Sequence, residues 1–282
     1  MSTSRAFSFE FFPPRTPAGR DKLRAAWREL GALKPKFFSV TFGAGGSTQA
    51  GTLETVLEIR REGFEAAPHI SCVASTRKEI AAILEQYRAN GIRHIVALRG
   101  DLPSGVAMAG ELRHADELVA FIRQTTGDWF EIDVACYPEY HPQTRNAADE
   151  VKNFKRKVDA GANGAITQYF YSPDAYLRFL EDCAAAGIRI PIVPGIMPIG
   201  NFSQLARFSD ACGAEIPRWM RIRLEGYRDD SASIRAFGLD AVTALCDKLL
   251  AAGAPGLHFY TLNQAPLSAE IWRRLNLSAR SY

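Results

Sequence analysis

The chain has 282 residues, of which 47% are hydrophobic and 23% are charged, and its 34 basic and 31 acidic side chains give a formal net charge of +3. This composition is typical of a globular protein and excludes a disordered chain, a collagen-like fibre and a coiled coil. The small net charge gives no reason to expect nucleic acid or an acidic membrane as a partner.

The N-terminal segment does not fit a secretory signal peptide, because Glu10 interrupts its short apolar stretch and Pro13 and Pro14 follow directly. No run approaches the roughly 18 apolar residues that a membrane span needs. The five cysteines are an odd number and contain no C-x-x-C pair, which favours reduced and mostly buried thiols. We therefore expect a cytoplasmic protein.

Short β-prone runs alternate with longer stretches of helical periodicity along almost the whole chain. In chain order the runs are AFSFEFF, KFFSVTF, AAPHIS, RHIVALRG, EIDVAC, GAITQYF, IPIVPG and LHFYTL. Two of the helical stretches begin with start signals. Thr76 with Glu79 is typical of a capping box, and Ser172 with Pro173 is typical of an N-cap followed by proline in the first turn.

The spacing of the strand ends predicts the architecture. We expect these ends at Phe11, Phe42, Ser71, Arg99, Cys136, Gln168, Pro194 and Tyr260. The first six steps are 26 to 37 residues long, one βα unit each, and the last step is 66 residues long. We therefore predict an α/β fold, a (β/α)8 TIM barrel filling residues 1–282 as one domain, with an extra helical insertion between strands 7 and 8. A doubly wound open sheet is the alternative, but no strand is followed by G-x-G-x-x-G.

Polar residues stand at or near six consecutive strand ends, where barrel enzymes carry their active groups. They are Glu10, Thr41, His69, Arg99 with Asp101, Tyr137 and Gln168. Any one of them could be a capped core residue or a loop residue. The whole set is hard to explain by stability alone and favours an enzyme.

Glu10 is the sharpest of these candidates. Period-two alternation places Ser8 and Glu10 on one face of the first strand and Phe7, Phe9 and Phe11 on the other. A carboxyl on a covered barrel strand is expected to be poorly solvated, and such an environment keeps a carboxylic acid protonated for use as a proton donor. An ion pair with an arginine or lysine elsewhere in the chain is the competing explanation.

Two further features are less specific. Asp101 follows Arg99 and Gly100, and a local loop ion pair would explain this order equally well. Glu150, Asn153 and Lys157, with Arg156 beside them, form a polar strip at helical spacing. The strip is either the solvated face of a helix or a site for a diphosphate and a ribose.

Together these motifs resemble one family, the methylenetetrahydrofolate reductases, which are flavoproteins that produce 5-methyltetrahydrofolate. The segments that carry the resemblance are FSFEFFPPRT, LKPKFFSVTFGAGGST, AAPHISC, NGIRHIVALRGDLP, YPEYHP, NFKRKVDAGANGAITQYFY, YLRF, IVPGIMPI, IPRWM and HFYTLN. They run in the family's order from about residue 7 to residue 263, and the chain length suits the short bacterial form of the family.

The resemblance implies an FAD-containing (β/α)8 barrel that works by a ping-pong cycle. NADH or NADPH delivers a hydride to the flavin and leaves, and methylenetetrahydrofolate then takes its place and receives the hydride. Glu10 matches the family's general acid, which protonates the folate so that its five-membered ring opens. Asp101 matches an aspartate beside both flavin and folate, whose charge disfavours anionic reduced flavin and stabilises the cationic folate.

The resemblance also assigns binding residues. Those matching positions that line FAD are Thr41, Phe42, Ala44, His69, Arg99, Gly100, Asp101, Ala115, Tyr137, His141, Glu150, Asn153, Arg156 and Lys157. On the substrate side, Asp101, Gln168 and Gln204 match folate contacts, and Phe208 matches a ring that stacks on folate or nicotinamide. We expect tetrahydrofolate derivatives as ligands, a homo-oligomer, and no bound metal.

Two other functions compete with this interpretation. A corrinoid- or zinc-dependent folate methyltransferase would, in its zinc-thiolate form, need clustered cysteines, whereas Cys72 and Cys136 are single. A barrel that merely binds flavin or folate would need neither Glu10 nor Asp101. The sequence therefore favours the reductase.

Overall fold

The computed structural model describes residues 5–42, 49–100 and 110–277. In this part of the chain, parallel strands alternate with helices from end to end. The strands are β1 Ala6–Phe11, β2 Phe37–Val40, β3 Ala66–Ser71, β4 His94–Leu98, β5 Glu131–Cys136, β6 Gly164–Thr167, β7 Ile192–Val193, β8 Gly195–Ile196 and β9 Gly256–Tyr260. The helices are α1 Pro17–Gly31, α2 Gln49–Arg61, α3 Arg77–Ala89, α4 Ala115–Thr126, α5 Ala147–Asp159, α6 Pro173–Ala185, α7 Phe202–Cys212, α8 Arg218–Gly226, α9 Ser231–Ala251 and α10 Pro266–Arg274.

The sheet closes into a barrel through β7 and β8, which are two pieces of the predicted seventh strand. Pro194 separates them, because proline has no N–H to donate to a strand ladder. β7 pairs with β6, whereas β8 pairs with β9. The strand order is β7-β6-β5-β4-β3-β2-β1-β9-β8, so the first strand pairs with the last. The predicted TIM-type barrel is confirmed.

The predicted helical insertion is also confirmed. Between β8 and β9 the chain forms α7 and α8 in addition to α9, where the preceding units have one helix each. α7 is capped by Asn201, whose side chain accepts a hydrogen bond from the backbone N–H of Gln204, and it ends at Gly213 in the left-handed conformation. The insertion therefore consists of α7 and α8, and α7 is a well-delimited helix that follows the seventh strand.

Two apolar clusters fill the two sides of the sheet. The larger lies between strands and helices and contains Phe7, Phe9 and Phe11. The smaller lies inside the barrel and consists of Phe37, Ala67, Val96 and Ile166, with Leu98 and Tyr260 packed against it. Because the interior cluster is small, much of the barrel interior is left to polar side chains.

No helix in the described ranges is long and apolar enough to cross a membrane. All five cysteines are free thiols, and all except Cys212 are buried. Both observations agree with the sequence predictions on these points.

Candidate active site

The polar residues predicted at the strand ends come together at one end of the barrel. All described strand pairs are parallel, so the carboxyl ends of the strands lie at one end of the barrel. Thr41, Arg99, Tyr137 and Gln168 directly follow β2, β4, β5 and β6, while Glu10 and His69 lie in the last three residues of β1 and β3.

Glu10 faces the barrel interior, as the alternation predicted. Its Oε2 lies 3.4 Å from Nε2 of His69 and 3.5 Å from Nε2 of His258. The side chain of Glu10 is 19% exposed, whereas those of His69 and His258 are 6% and 0% exposed. These contacts involve two buried imidazoles rather than the arginine or lysine of the competing explanation.

His258 is held by a short hydrogen bond to the first strand. Its Nδ1 lies 2.7 Å from Oγ of Ser8, while its Nε2 is buried and has no hydrogen-bond partner within the described ranges. Nε2 of His69 is likewise buried without a partner there. Burial lowers the pKa of His69, against the opposing charge of Glu10, so this imidazole is held neutral.

Sequence reasoning missed His258 and Tyr260, which complete this part of the site. The hydroxyl of Tyr260 donates to the carbonyl of Thr167 at 2.7 Å, and burial together with the nearby charge of Glu10 raises its pKa well above the usual value. The signal was present in the sequence. Alternation along LHFYTL puts both residues on one face of the strand that closes the barrel.

A second ionisable pair lies deeper in the barrel. Nε2 of His94 lies 2.8 Å from Oδ2 of Asp133, and the ring of His94 packs edge-on against Phe37. Burial opposes ionisation of Asp133, but the charge and hydrogen bond of His94 outweigh it and lower the pKa of this carboxyl. This pair is therefore a satisfied structural contact at the far end of the interior.

The predicted cofactor residues of β4 and β5 form one connected group. Nη1 of Arg99 donates to Oε1 of Gln143 at 2.5 Å, which joins the end of β4 to the loop after β5. In that loop the rings of Tyr137 and His141 meet edge to face at 4.8 Å. Gly100 has φ +84°, a conformation that favours glycine, and its backbone lies directly against Ser71.

The polar strip on α5 divides into an inner and an outer part. Oε2 of Glu150 accepts hydrogen bonds from the backbone N–H of His141 at 3.2 Å and from Oγ1 of Thr144 at 2.8 Å, so it orders the loop after β5. Nζ of Lys157 donates to the carbonyl of Ala135 at 2.6 Å, and burial lowers its pKa. Asn153 and Arg156 are exposed and touch each other.

The described members of the predicted substrate set lie directly after β6 and on α7. Oε1 of Gln168 accepts from the backbone N–H of Tyr169 at 3.0 Å, and the hydroxyl of Tyr169 lies 3.1 Å from Oγ of Ser209 on α7. The same helix carries Gln204 and Phe208 one turn apart. Phe208 is 37% exposed, which is unusual for a phenylalanine and leaves its ring available to a ligand.

The remaining predicted residues have simpler positions. Thr41 and Phe42 follow β2, and the carbonyl of Thr41 accepts from Oγ1 of Thr52 at 2.8 Å. Ala115 begins α4. Ala44 and Asp101 lie outside the described residues.

The cysteines do not offer a metal centre. Burial raises the pKa of Cys72 to about 11 and that of Cys136 well above its usual value, so both stay protonated. Among the residues with described positions, no group of three His, Cys, Asp or Glu side chains is placed to hold a metal ion.

The carboxyl ends of the strands carry a carboxyl, imidazoles and an arginine, and an exposed aromatic ring lies close by. Such a set at this end of a parallel α/β barrel is typical of the barrel enzymes, and the protein belongs to that class. The arrangement provides an acid, cations for an anionic ligand and an apolar surface for a planar one.

Comparison with known proteins identifies which barrel enzyme this is. The family model described as methylenetetrahydrofolate reductase matches residues 2–276. The 5,10-methylenetetrahydrofolate reductases of Salmonella typhimurium and Escherichia coli are both 43% identical over 271 residues, 96% of this chain and 90% of theirs. The methylenetetrahydrofolate reductase (NADH) 1 of Arabidopsis thaliana is 40% identical over 92% of this chain, which corresponds to 46% of its own length.

A solved structure supports the fold independently. An uncharacterized protein from Clostridium thermocellum that binds two copies of 5-methyl-5,6,7,8-tetrahydrofolic acid superimposes with a TM-score of 0.68. The match covers 97% of this chain and 95% of that one at 16% sequence identity.

The chain belongs to the methylenetetrahydrofolate reductase family, as the sequence motifs predicted. It is an enzyme, and its activity is that of the family, the reduction of methylenetetrahydrofolate to methyltetrahydrofolate.

Proposed function

We propose that residues 1–282 form one catalytic domain in which FAD carries the hydride, NADH or NADPH supplies it, and the folate replaces the nicotinamide at one shared site. When bound, FAD accepts a hydride from the nicotinamide and donates it to the folate. The observation that carries the proposal is the position of Glu10, a partly exposed carboxyl set between two buried histidines at the end of a barrel that belongs to this family.

The residues present fit the chemistry of FAD. A diphosphate needs cations, and Arg99 and the exposed Arg156 provide guanidinium groups at neighbouring strand and helix positions. Glu150 and Lys157 are already bonded to Thr144 and to the carbonyl of Ala135. An ammonium group has three donors, so Lys157 keeps capacity for a ligand while it anchors α5 to β5.

The substrate side fits a flat heterocycle that carries amide and amino groups. Gln168 and Gln204 offer side-chain amides that can donate and accept hydrogen bonds, and Phe208 offers an exposed ring face for stacking. The likeness in fold to a protein that binds 5-methyl-5,6,7,8-tetrahydrofolic acid agrees with a folate as the ligand. Asp101 completes the set in our proposal.

Glu10 is proposed to hold the proton that opens the folate ring. Its carboxyl contacts both imidazoles, and its partial exposure makes it reachable from the mouth of the barrel. A positioned acid contributes about 10²- to 10⁴-fold to a rate. We further propose that the enzyme is a cytoplasmic homo-oligomer.

The absorption spectrum of the purified protein tests the cofactor. We expect a yellow protein with a flavin spectrum that bleaches anaerobically on addition of NADH or NADPH and returns on addition of methylenetetrahydrofolate. A protein that stays colourless after incubation with FAD would exclude the flavin route.

Glu10→Gln tests the acid. Since hydride uptake from the nicotinamide needs no proton from Glu10, we expect flavin reduction at close to the wild-type rate. Reoxidation by methylenetetrahydrofolate is expected to fall by about 10² or more because the general acid is missing. Anaerobic stopped-flow measures the two half-reactions separately, and unchanged reoxidation would remove Glu10 from the mechanism.

A further inference from the structure

We propose that His258 is a positioning residue for Glu10, and that Ser8 sets the tautomer in which it works. The inference rests on the proposed function, because it assigns to His258 a role in the proton step of Glu10. In the proposed function, the proton step involves Glu10 on the first strand, β1. The inference adds His258, which lies on the last strand, β9.

The hydrogen bond from Ser8 determines what His258 presents to Glu10. A neutral imidazole carries one proton, so a donor at one nitrogen leaves an acceptor at the other. When the hydroxyl of Ser8 donates to Nδ1 at 2.7 Å, the proton of His258 is on Nε2. Oε2 of Glu10 lies 3.5 Å from this nitrogen. While Glu10 is ionised, the opposite tautomer would set a nitrogen lone pair against the carboxylate oxygen, which is repulsive.

A donor at Oε2 selects the other oxygen of Glu10 as the site of its acidic proton. Both histidine contacts of the carboxyl are made to Oε2, from Nε2 of His69 and from Nε2 of His258. An oxygen that faces N–H groups is favoured as the carbonyl oxygen of the protonated acid, so we place the O–H on Oε1. The geometry therefore keeps the proton on the oxygen that does not face the histidines.

The ring of His258 is held in place by its packing, whereas the side chain of Glu10 is partly exposed and has room to shift. His258 is fully buried, with the ring of Tyr260 edge-on at 5.3 Å and that of Phe37 stacked at 6.2 Å. The separation of 3.5 Å is longer than a good N–H···O bond. Such contacts are often long without substrate and tighten when it binds, and a small shift of the partly exposed carboxyl is enough.

Two isosteric variants separate the functions of the two ring nitrogens. In His258→Asn the amide replaces Nδ1, so the contact with Ser8 is kept and the donor to Glu10 is lost. In His258→Gln the amide nitrogen replaces Nε2, so the donor to Glu10 is kept. We expect His258→Asn to slow flavin reoxidation by methylenetetrahydrofolate roughly tenfold or more, and His258→Gln to restore most of that loss.

The half-reactions and a double mutant distinguish positioning from structural damage. Flavin content and flavin reduction by the nicotinamide should stay within about twofold of wild type in both variants, because Glu10 acts only in the folate step. In a Glu10→Gln background, His258→Asn should have no further effect on reoxidation. If His258→Asn does not fold, Ser8→Ala replaces it, with a selective loss in reoxidation expected there too.

Several results would overturn the inference while leaving the proposed function intact. They are an equal loss in both half-reactions, an unchanged reoxidation rate in His258→Asn, or a loss that persists in the Glu10→Gln background. If the wild-type protein transfers no hydride between nicotinamide, flavin and folate, the proposed function itself fails, and the two failures are therefore distinguishable.

Discussion

The barrel interior contains ionisable side chains as well as apolar ones. Three of the five histidines, His69, His94 and His258, lie there with Glu10 and Asp133. Burying ionisable groups costs free energy unless they are paired. Asp133 and His94 pair with each other, whereas Glu10 meets imidazoles that have no other partner at Nε2 among the described residues. The described interior therefore has a paired carboxyl, Asp133, at one end and a carboxyl flanked by two imidazoles, Glu10, at the other.

Gly100 is a residue at the site where both the backbone conformation and the neighbouring atoms disfavour any side chain. Alanine there would adopt φ +84° and place its Cβ against Oγ of Ser71 and 2.8 Å from Cγ1 of Val73. We expect Gly100→Ala to lower the free energy of unfolding by about 3 kcal/mol or more, because left-handed strain and overpacking add together. Urea denaturation followed by circular dichroism measures this loss.

Gly63 provides the matched control for that substitution. It has φ +88°, but no described atom lies within 4 Å of the position that a Cβ would take, so Gly63→Ala introduces strain without a clash. A loss of about 1–2 kcal/mol is expected. Equal losses in the two variants would show that the contact with Ser71 does not matter.

Two helix starts that look alike in the sequence differ in the structure. Thr76 and Glu79 form the predicted capping box on α3, with each side chain bonded to the backbone of the other. Ser172 is the N-cap of α6 and Pro173 follows in the first turn, as predicted, but the serine side chain makes no capping hydrogen bond. At these two positions the residue type correctly predicted where the helix begins. It did not predict whether the side chain makes a capping hydrogen bond.

Alanine at these two caps should consequently have different effects. Thr76→Ala removes a capping hydrogen bond and is expected to lower the free energy of unfolding by about 1 kcal/mol. Ser172→Ala removes no such bond, and its effect should stay within about 0.5 kcal/mol of zero. Both variants should keep wild-type turnover, since neither residue belongs to the proposed site. A larger loss for Ser172→Ala than for Thr76→Ala would contradict this assignment.

At the scale of the whole molecule, sequence periodicity was enough to predict the barrel. Expected strand ends such as Phe11, Ser71, Cys136 and Tyr260 coincide with the observed ones, because each run alternates on a pleated strand between helices. The partnership of Ser8 with His258 joins residues 250 positions apart. Local patterns do not encode such contacts. Family motifs predicted that Glu10 and Gln168 line the site, but not the hydrogen bonds that hold their neighbours.

The last helix stabilises the first strand, and this contact links the ends of the fold. The ring of Trp272 on α10 lies 4.9 Å from that of Phe7 and 6.1 Å from that of Phe9, and the residue is 4% exposed. Trp272→Ala should lower the free energy of unfolding by about 3–5 kcal/mol because it leaves a large cavity.

Trp219 is the control for this prediction. It is 57% exposed on α8 and touches Phe237 edge-on, so Trp219→Ala should cost less than about 1 kcal/mol. Thermal and urea unfolding of the two variants can be compared directly. Similar losses would mean that α10 contributes little to holding the barrel closed.

The closure of the sheet between β1 and β9 has a consequence for how the protein is made. On the ribosome, β1 to β6 emerge well before β9, which ends 93 residues after β6 (260 − 167). At about 5–20 residues per second, that interval lasts roughly 5 to 20 s. Throughout it, β1 is an unpaired edge open to other nascent chains, and β6 is a second one until β7 emerges and pairs with it. We therefore expect the growing polypeptide to need chaperone protection during synthesis of its last third.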